Sequence, residues 1–111
     1  MTPELKQQRR DFVVSHPCCV CGGLATDCHE ILAGANRHAS VKERACWLAV
    51  CRPCHDEIQG TEPEYQLAYK LLSDPEGFSL LKFCEAWRRP FTAVSAALLV
   101  SYVQTILLER R

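Results

Sequence analysis

Residues 47–60, WLAVCRPCHDEIQG, decide the architecture. WLAV is an apolar run of strand length. Cys51 and Cys54 form a C-x2-C pair, the spacing at which two thiolates reach one metal ion. After Cys54 the string HDEIQ predicts a helix, and Gly60 stops it. A strand, a cysteine knuckle and a helix follow one another without a linker, so a metal would tie strand to helix.

The matching half-site lies upstream. HPCCVCGG (16–23) holds a second C-x2-C pair, Cys18 and Cys21. Cys19 would place the ligands at the tighter C-x-C spacing, so Cys18 is preferred. Four thiolates close a tetrahedral zinc shell and leave no open position, which makes the zinc structural rather than catalytic. Bringing the pairs together costs on the order of 3 kcal/mol in loop closure, against roughly 10–16 kcal/mol of apparent zinc binding in small sites. The chain has 8 cysteines. Its N-terminal MTPELKQQRRDF lacks the apolar core of a secretory signal, which points to a reducing, cytoplasmic setting and to metal rather than disulfides. Cys84 falls on an apolar helix face and reads as core.

The remaining elements follow from local signals. A helix is expected over 2–15, capped by Thr2, begun by Pro3 and ended by His16-Pro17. LATDCHEIL (24–32) is extended, and 33–39 is a loop. Ser40 with Glu43 predicts a capping box for a short helix over about 41–45, and Thr61 with Glu64 predicts another. Leu67/Leu71 and Ala68/Leu72 repeat at helical spacing, as do Leu80, Phe83, Cys84 and Trp87. Asp74-Pro75-Glu76-Gly77 is a turn, and Pro90 a break. Thr92 is expected to cap the apolar stretch 93–108. That stretch is shorter and more polar than a bilayer span of roughly 20 residues. It reads as a core helix, or as the contact of a homodimer, with no membrane.

These signals predict a small α+β protein: a zinc-braced β-hairpin plus helix, with additional helices. Residues 1–60 form the zinc-stabilised unit with its N-terminal helix. Residues 61–111 add a helical segment of the same domain. The 111 residues carry 13 basic and 13 acidic side chains. That balance excludes a strongly basic nucleic-acid binder, so any grip on DNA is local. Asp56, Glu57, Glu62 and Glu64 read as an exposed face. The basic contacts are left to Arg9, Arg10, Arg37, Lys42, Arg44 and Arg52. Trp47 and Trp87 read as core, and His16 and His38 as solvated.

Asp27, Cys28, His29 and Glu30 follow the first knuckle, and His55 follows the last cysteine in CRPCHDE. This arrangement resembles the HNH (ββα-metal) nuclease family over Cys18 to Gln59. HEILAGANR looks like small phage- or prophage-borne members, and QLAYKLLSDPEGF is similar to their helical tail. The resemblance implies a ββα-metal-like fold and a metal-dependent DNA endonuclease or nicking enzyme, in the bacterial host cytoplasm if phage-borne. It implies DNA as partner, structural Zn2+, and a second divalent cation (Mg2+, Mn2+, Ni2+ or Zn2+).

In that reading His55 is a ligand of the second metal. His29 is the general base or the first metal ligand. The register stays open. Pairing Cys28 with His29 puts His29 in the base slot, and Asp27 reaches the metal if it shares a strand face with His29. Pairing His29 with Glu30 makes His29 the ligand and Glu30 the base. Arg37 would contact phosphate, with Arg44 and Arg52 as further nucleic-acid contacts. Two departures stand out. Cys46 and Trp47 occupy the places where the family carries its asparagine, and Asn36, the sole asparagine, lies in the earlier loop. The second histidine that some members carry on the metal-binding helix is absent. The alternatives are a catalytically degenerate zinc-binding module for DNA or protein, and a zinc-stabilised dimeric regulator.

Overall fold

Thr2 and Pro3 open the first helix as their chemistry requires. In the computed structural model, which describes residues 1–90 and 95–110, α1 spans Pro3–Ser15, and Thr2 Oγ1 accepts from the Leu5 N–H at 3.1 Å. Strands β1 (Asp27–Glu30) and β2 (Trp47–Val50) pair antiparallel, with Asp27 opposite Val50 and His29 opposite Leu48. Between them lie a single 3-10 turn at Gly34–Asn36, helix α2 (Arg37–Lys42) and a second 3-10 turn at Arg44–Cys46. Helices α3 (Arg52–Ile58), α4 (Pro63–Ser73), α5 (Leu80–Trp87) and α6 (Ala96–Glu109) follow. The described residues thus form an α+β fold of six α-helices and a two-stranded hairpin.

Alternation along the hairpin sorts its side chains onto two faces. Trp47 and Ala49 join Phe12 and Ala25 beneath α1, with Cys28 at their edge. Leu48 and Val50 enter the main core with Ile58, Leu67 and Phe83. Both faces are covered, which is why WLAV is buried throughout. The main core draws on residues from both halves of the chain, and Cys84 lies within it.

Several local signals act differently from their sequence reading. Helix α2 begins at Arg37, so Ser40 is inside it rather than at its cap. Ser40 is buried, and its hydroxyl accepts from the Leu32 N–H at 3.2 Å. Glu43 instead caps the following 3-10 turn through the Ala45 N–H. Thr61 donates its hydroxyl to the Ile58 carbonyl at 2.7 Å, closing α3 rather than opening α4. The cap position of α4 is Glu62, with Pro63 at the first turn, where its missing N–H is not needed. Thr92 falls within 91–94, outside the described residues, and Ser95 caps α6.

Helix α6 lays Leu99 and Ile106 into the core, with Tyr102 and Val103 beside them. Its end is anchored by Arg110, which donates to the Cys19 carbonyl. Leu98, Val100, Leu107 and Leu108 stay exposed. No helix among the described residues is long and apolar enough to cross a membrane.

A charge network with no signal in the sequence joins α1, α4 and the turn before β2. Asp74 and Lys70 are both buried, with Lys70 Nζ 2.5 Å from Asp74 Oδ2. Arg44 binds the same carboxylate at 2.9 Å, and His16 Nε2 approaches it to 3.3 Å. Burial works against charging Asp74, but Arg44 and Lys70 outweigh it and bring its carboxyl down to about 2. Gly77 is needed here, since a Cβ would collide with the Asp74 carboxylate and the Arg44 guanidinium. This pairing also corrects the expectation for Arg44, whose guanidinium is engaged by protein.

Candidate metal centre and histidine cavity

The sulfurs of Cys18, Cys21, Cys51 and Cys54 all lie within 4.8 Å of one another. Cys21 Sγ and Cys51 Sγ are 3.7 Å apart. Four Zn–S bonds of about 2.3 Å at tetrahedral angles place sulfurs about 3.8 Å apart, so the cluster has the size of a zinc shell. No cysteine is in a disulfide. The local backbone favours thiolate. Burial opposes ionising Cys18, yet N–H groups of Cys21, Cys51 and Val20 hold it down at about 6. The Gly23 N–H donates to Cys21 Sγ at 3.4 Å. Burial and the neighbouring thiols push Cys54 up, as expected of four like groups with no cation between them. The donor set fits structural zinc. Cys19 points elsewhere: it is buried, and burial raises its thiol to about 12.

Beside this centre, alternation along β1 puts Asp27 and His29 on one face. His55, in the second turn of α3, meets both. Its Nδ1 lies 2.9 Å from Asp27 Oδ2, and its ring centre is 4.9 Å from that of His29, edge to face. A carboxylate only accepts, so His55 Nδ1 carries a proton toward Asp27. The hydrogen bond from His55 draws the Asp27 carboxyl below its usual range, and Arg52 adds to this at 3.3 Å.

His29 is oriented from outside the knuckles. Its Nε2 lies 2.6 Å from Gln66 Oε1 on α4. The Gln66 amide nitrogen donates to the carbonyls of Ile58 (3.2 Å) and Thr61 (3.0 Å), which fixes the oxygen toward His29. Nε2 therefore carries the proton, and the lone pair sits on Nδ1. Burial lowers the His29 pKa and keeps the ring neutral.

Both rings line a cavity of about 530 Å³. Asn36, Arg37, Gln59 and Trp87 also line it, so the asparagine of the early loop does reach this site. Glu30 and Cys28 alternate to the other face. The Glu30 carboxylate, although its residue borders the cavity, is held by Arg9 at 2.9 Å. Arg9 also donates to the Cys28 carbonyl and lies over Trp47. Burial raises the Cys28 thiol to about 11. Arg52 is exposed and engaged with Asp27. Among the described residues, only the four thiols bring three or more potential ligands this close.

Sequence reasoning missed Gln66 and Trp87 because each sits in a helix whose apolar spacing hides a single inward polar or aromatic group. No family model, curated protein or solved structure matches the chain. Fold and site together define an α+β protein with a four-cysteine metal centre beside a histidine-lined cavity.

Proposed function

We propose that the chain is a zinc-stabilised, metal-dependent DNA endonuclease or nicking enzyme of the HNH, ββα-metal type. One observation carries this reading. His29 and His55 come from the strand and helix on either side of the four-thiol cluster, each is held by its own hydrogen-bond partner, and both line one cavity.

In this proposal His29 Nδ1 takes the proton from the attacking water. A neutral histidine suits that task near physiological pH. Gln66 holds its tautomer. His55 Nε2 would hold a divalent cation, with Asp27 orienting the ring as carboxylates do behind metal-bound histidines. When bound, such a cation supplies charge stabilisation for the scissile phosphate and the leaving 3′-oxygen. Arg37 matches a phosphate in the same cavity. Asp27 thus acts behind a ligand rather than as one, and Glu30 takes no part.

A non-catalytic zinc-binding module for DNA or protein is favoured by a different observation: a second group of three ligands is not gathered among the described residues. A supercoiled-plasmid assay in magnesium, manganese or nickel separates the two. Nicked circles are expected, and their absence with all three metals overturns the nuclease proposal.

A further inference from the structure

The cavity that holds the two histidines has an aromatic and a cationic lining residue. Trp87 ends α5 and Arg37 begins α2, and both line the cavity. The Arg89 guanidinium lies 4.6 Å from the centre of the Trp87 ring, within cation–π range. Arg88, between them, caps α5 with φ 60, a position usually filled by glycine. Two consecutive arginines, Arg88 and Arg89, thus follow Trp87 directly.

Charge pairing separates these arginines from three others. Arg9 is paired with Glu30, Arg44 with Asp74, and Arg52 with Asp27. Arg37, Arg88 and Arg89 are exposed and have no acidic partner among the described residues. The sole acidic residue lining the cavity is Glu30, which Arg9 already neutralises. Arg37 is thus the unpaired cation of the cavity lining, and two more follow directly on Trp87, itself part of that lining.

We infer that Arg37, Trp87, Arg88 and Arg89 form the DNA-contact surface of the cavity. The arginines hold phosphates on either side of the one that reaches His29, and Trp87 packs against the sugar or base exposed there. This rests on the nuclease reading, which makes a phosphodiester the occupant of the cavity. It moves the grip from the arginines of the hairpin region to the end of α5, outside the stretch that resembles a nuclease.

The test measures anisotropy of a fluorescein-labelled DNA duplex over a salt series, with no added divalent cation. Wild type, Arg37→Ala, Arg89→Ala and Lys6→Ala are compared. Lys6 is exposed on α1. Removing one phosphate-binding side chain lowers the salt slope by about 1 and weakens binding severalfold at moderate salt. Arg37→Ala and Arg89→Ala are expected to do this, and Lys6→Ala to bind as wild type. Arg37→Ala and Arg89→Ala that keep wild-type affinity and slope overturn the inference, as does a wild type that fails to bind. Nicking by the same proteins keeps the two claims apart. Arginine-dependent binding without nicking removes the nuclease reading and leaves the surface standing. Nicking unchanged in Arg37→Ala and Arg89→Ala removes the surface and leaves the nuclease.

Discussion

Gln66 on α4 fixes the tautomer of His29 on β1, two residues 37 positions apart, through a 2.6 Å hydrogen bond. The amide cannot turn over, because its nitrogen is committed to the Ile58 and Thr61 carbonyls. Gln66→Leu keeps the volume and removes the acceptor. Nicking is expected to fall about 10–100-fold, the usual cost of losing an orienting partner. Nitrogen NMR of His29 should change from one Nε2-protonated form to a mixture. Unchanged nicking and an unchanged tautomer would show that Gln66 only packs.

Asp27 holds His55 in the same manner. Asp27→Ala is expected to weaken binding of an added manganese ion about 10–100-fold in a calorimetric titration. The tightly bound zinc should remain, since no cysteine is touched. Equal manganese affinity in the variant would remove Asp27 from the site.

The four thiols predict one zinc per chain by elemental analysis. Cys51→Ser should lose that zinc and much of the folded population, because structural zinc contributes apparent binding of roughly 10–16 kcal/mol at neutral pH. Cys84→Ser should keep it, since Cys84 lies in the apolar core. A wild-type protein that folds and holds no zinc, or a Cys51→Ser protein that keeps it, would contradict the assignment.

How far the sequence was legible depended on where the cause lay. The C-x2-C spacing is local chemistry, and it led directly to the cluster. Thr2 could be read as a cap because its partner is three residues away. Ser40 and Thr61 could not. Each has a capping pattern, but its hydroxyl has another partner, the Leu32 N–H eight residues back for Ser40 and the Ile58 carbonyl three residues back for Thr61. The pleat, not the residue types, decides that Cys28 and Glu30 point away from the face His29 shares with Asp27. Gln66 carries no mark in the sequence, Trp87 reads there as core and Asn36 as a residue of the early loop, since their place at the cavity comes from how α4, α5 and the Gly34–Asn36 turn pack.

The buried pair Lys70–Asp74 predicts a stability signature in acid. Asp74→Asn leaves the Lys70 charge without its buried partner and should cost about 3–5 kcal/mol at neutral pH, read by urea unfolding. The folded carboxyl titrates near 2 and the unfolded one near 3.8. Its contribution is therefore complete above the unfolded value and lost as pH falls through the folded one. The gap between wild type and Asp74→Asn should narrow over that window. A gap that stays constant would show that the loss is steric.

Phosphodiester cleavage by His29 and His55 beside a structural zinc is the proposal on which the others depend. It is checked by comparing supercoiled-plasmid nicking by wild type, His29→Ala and His55→Ala in manganese, with zinc content measured on each sample. Wild type is expected to nick, both variants to lose about 100-fold or more, and all three proteins to hold one zinc per chain. Nicking that persists at the wild-type rate in His29→Ala would contradict the proposal.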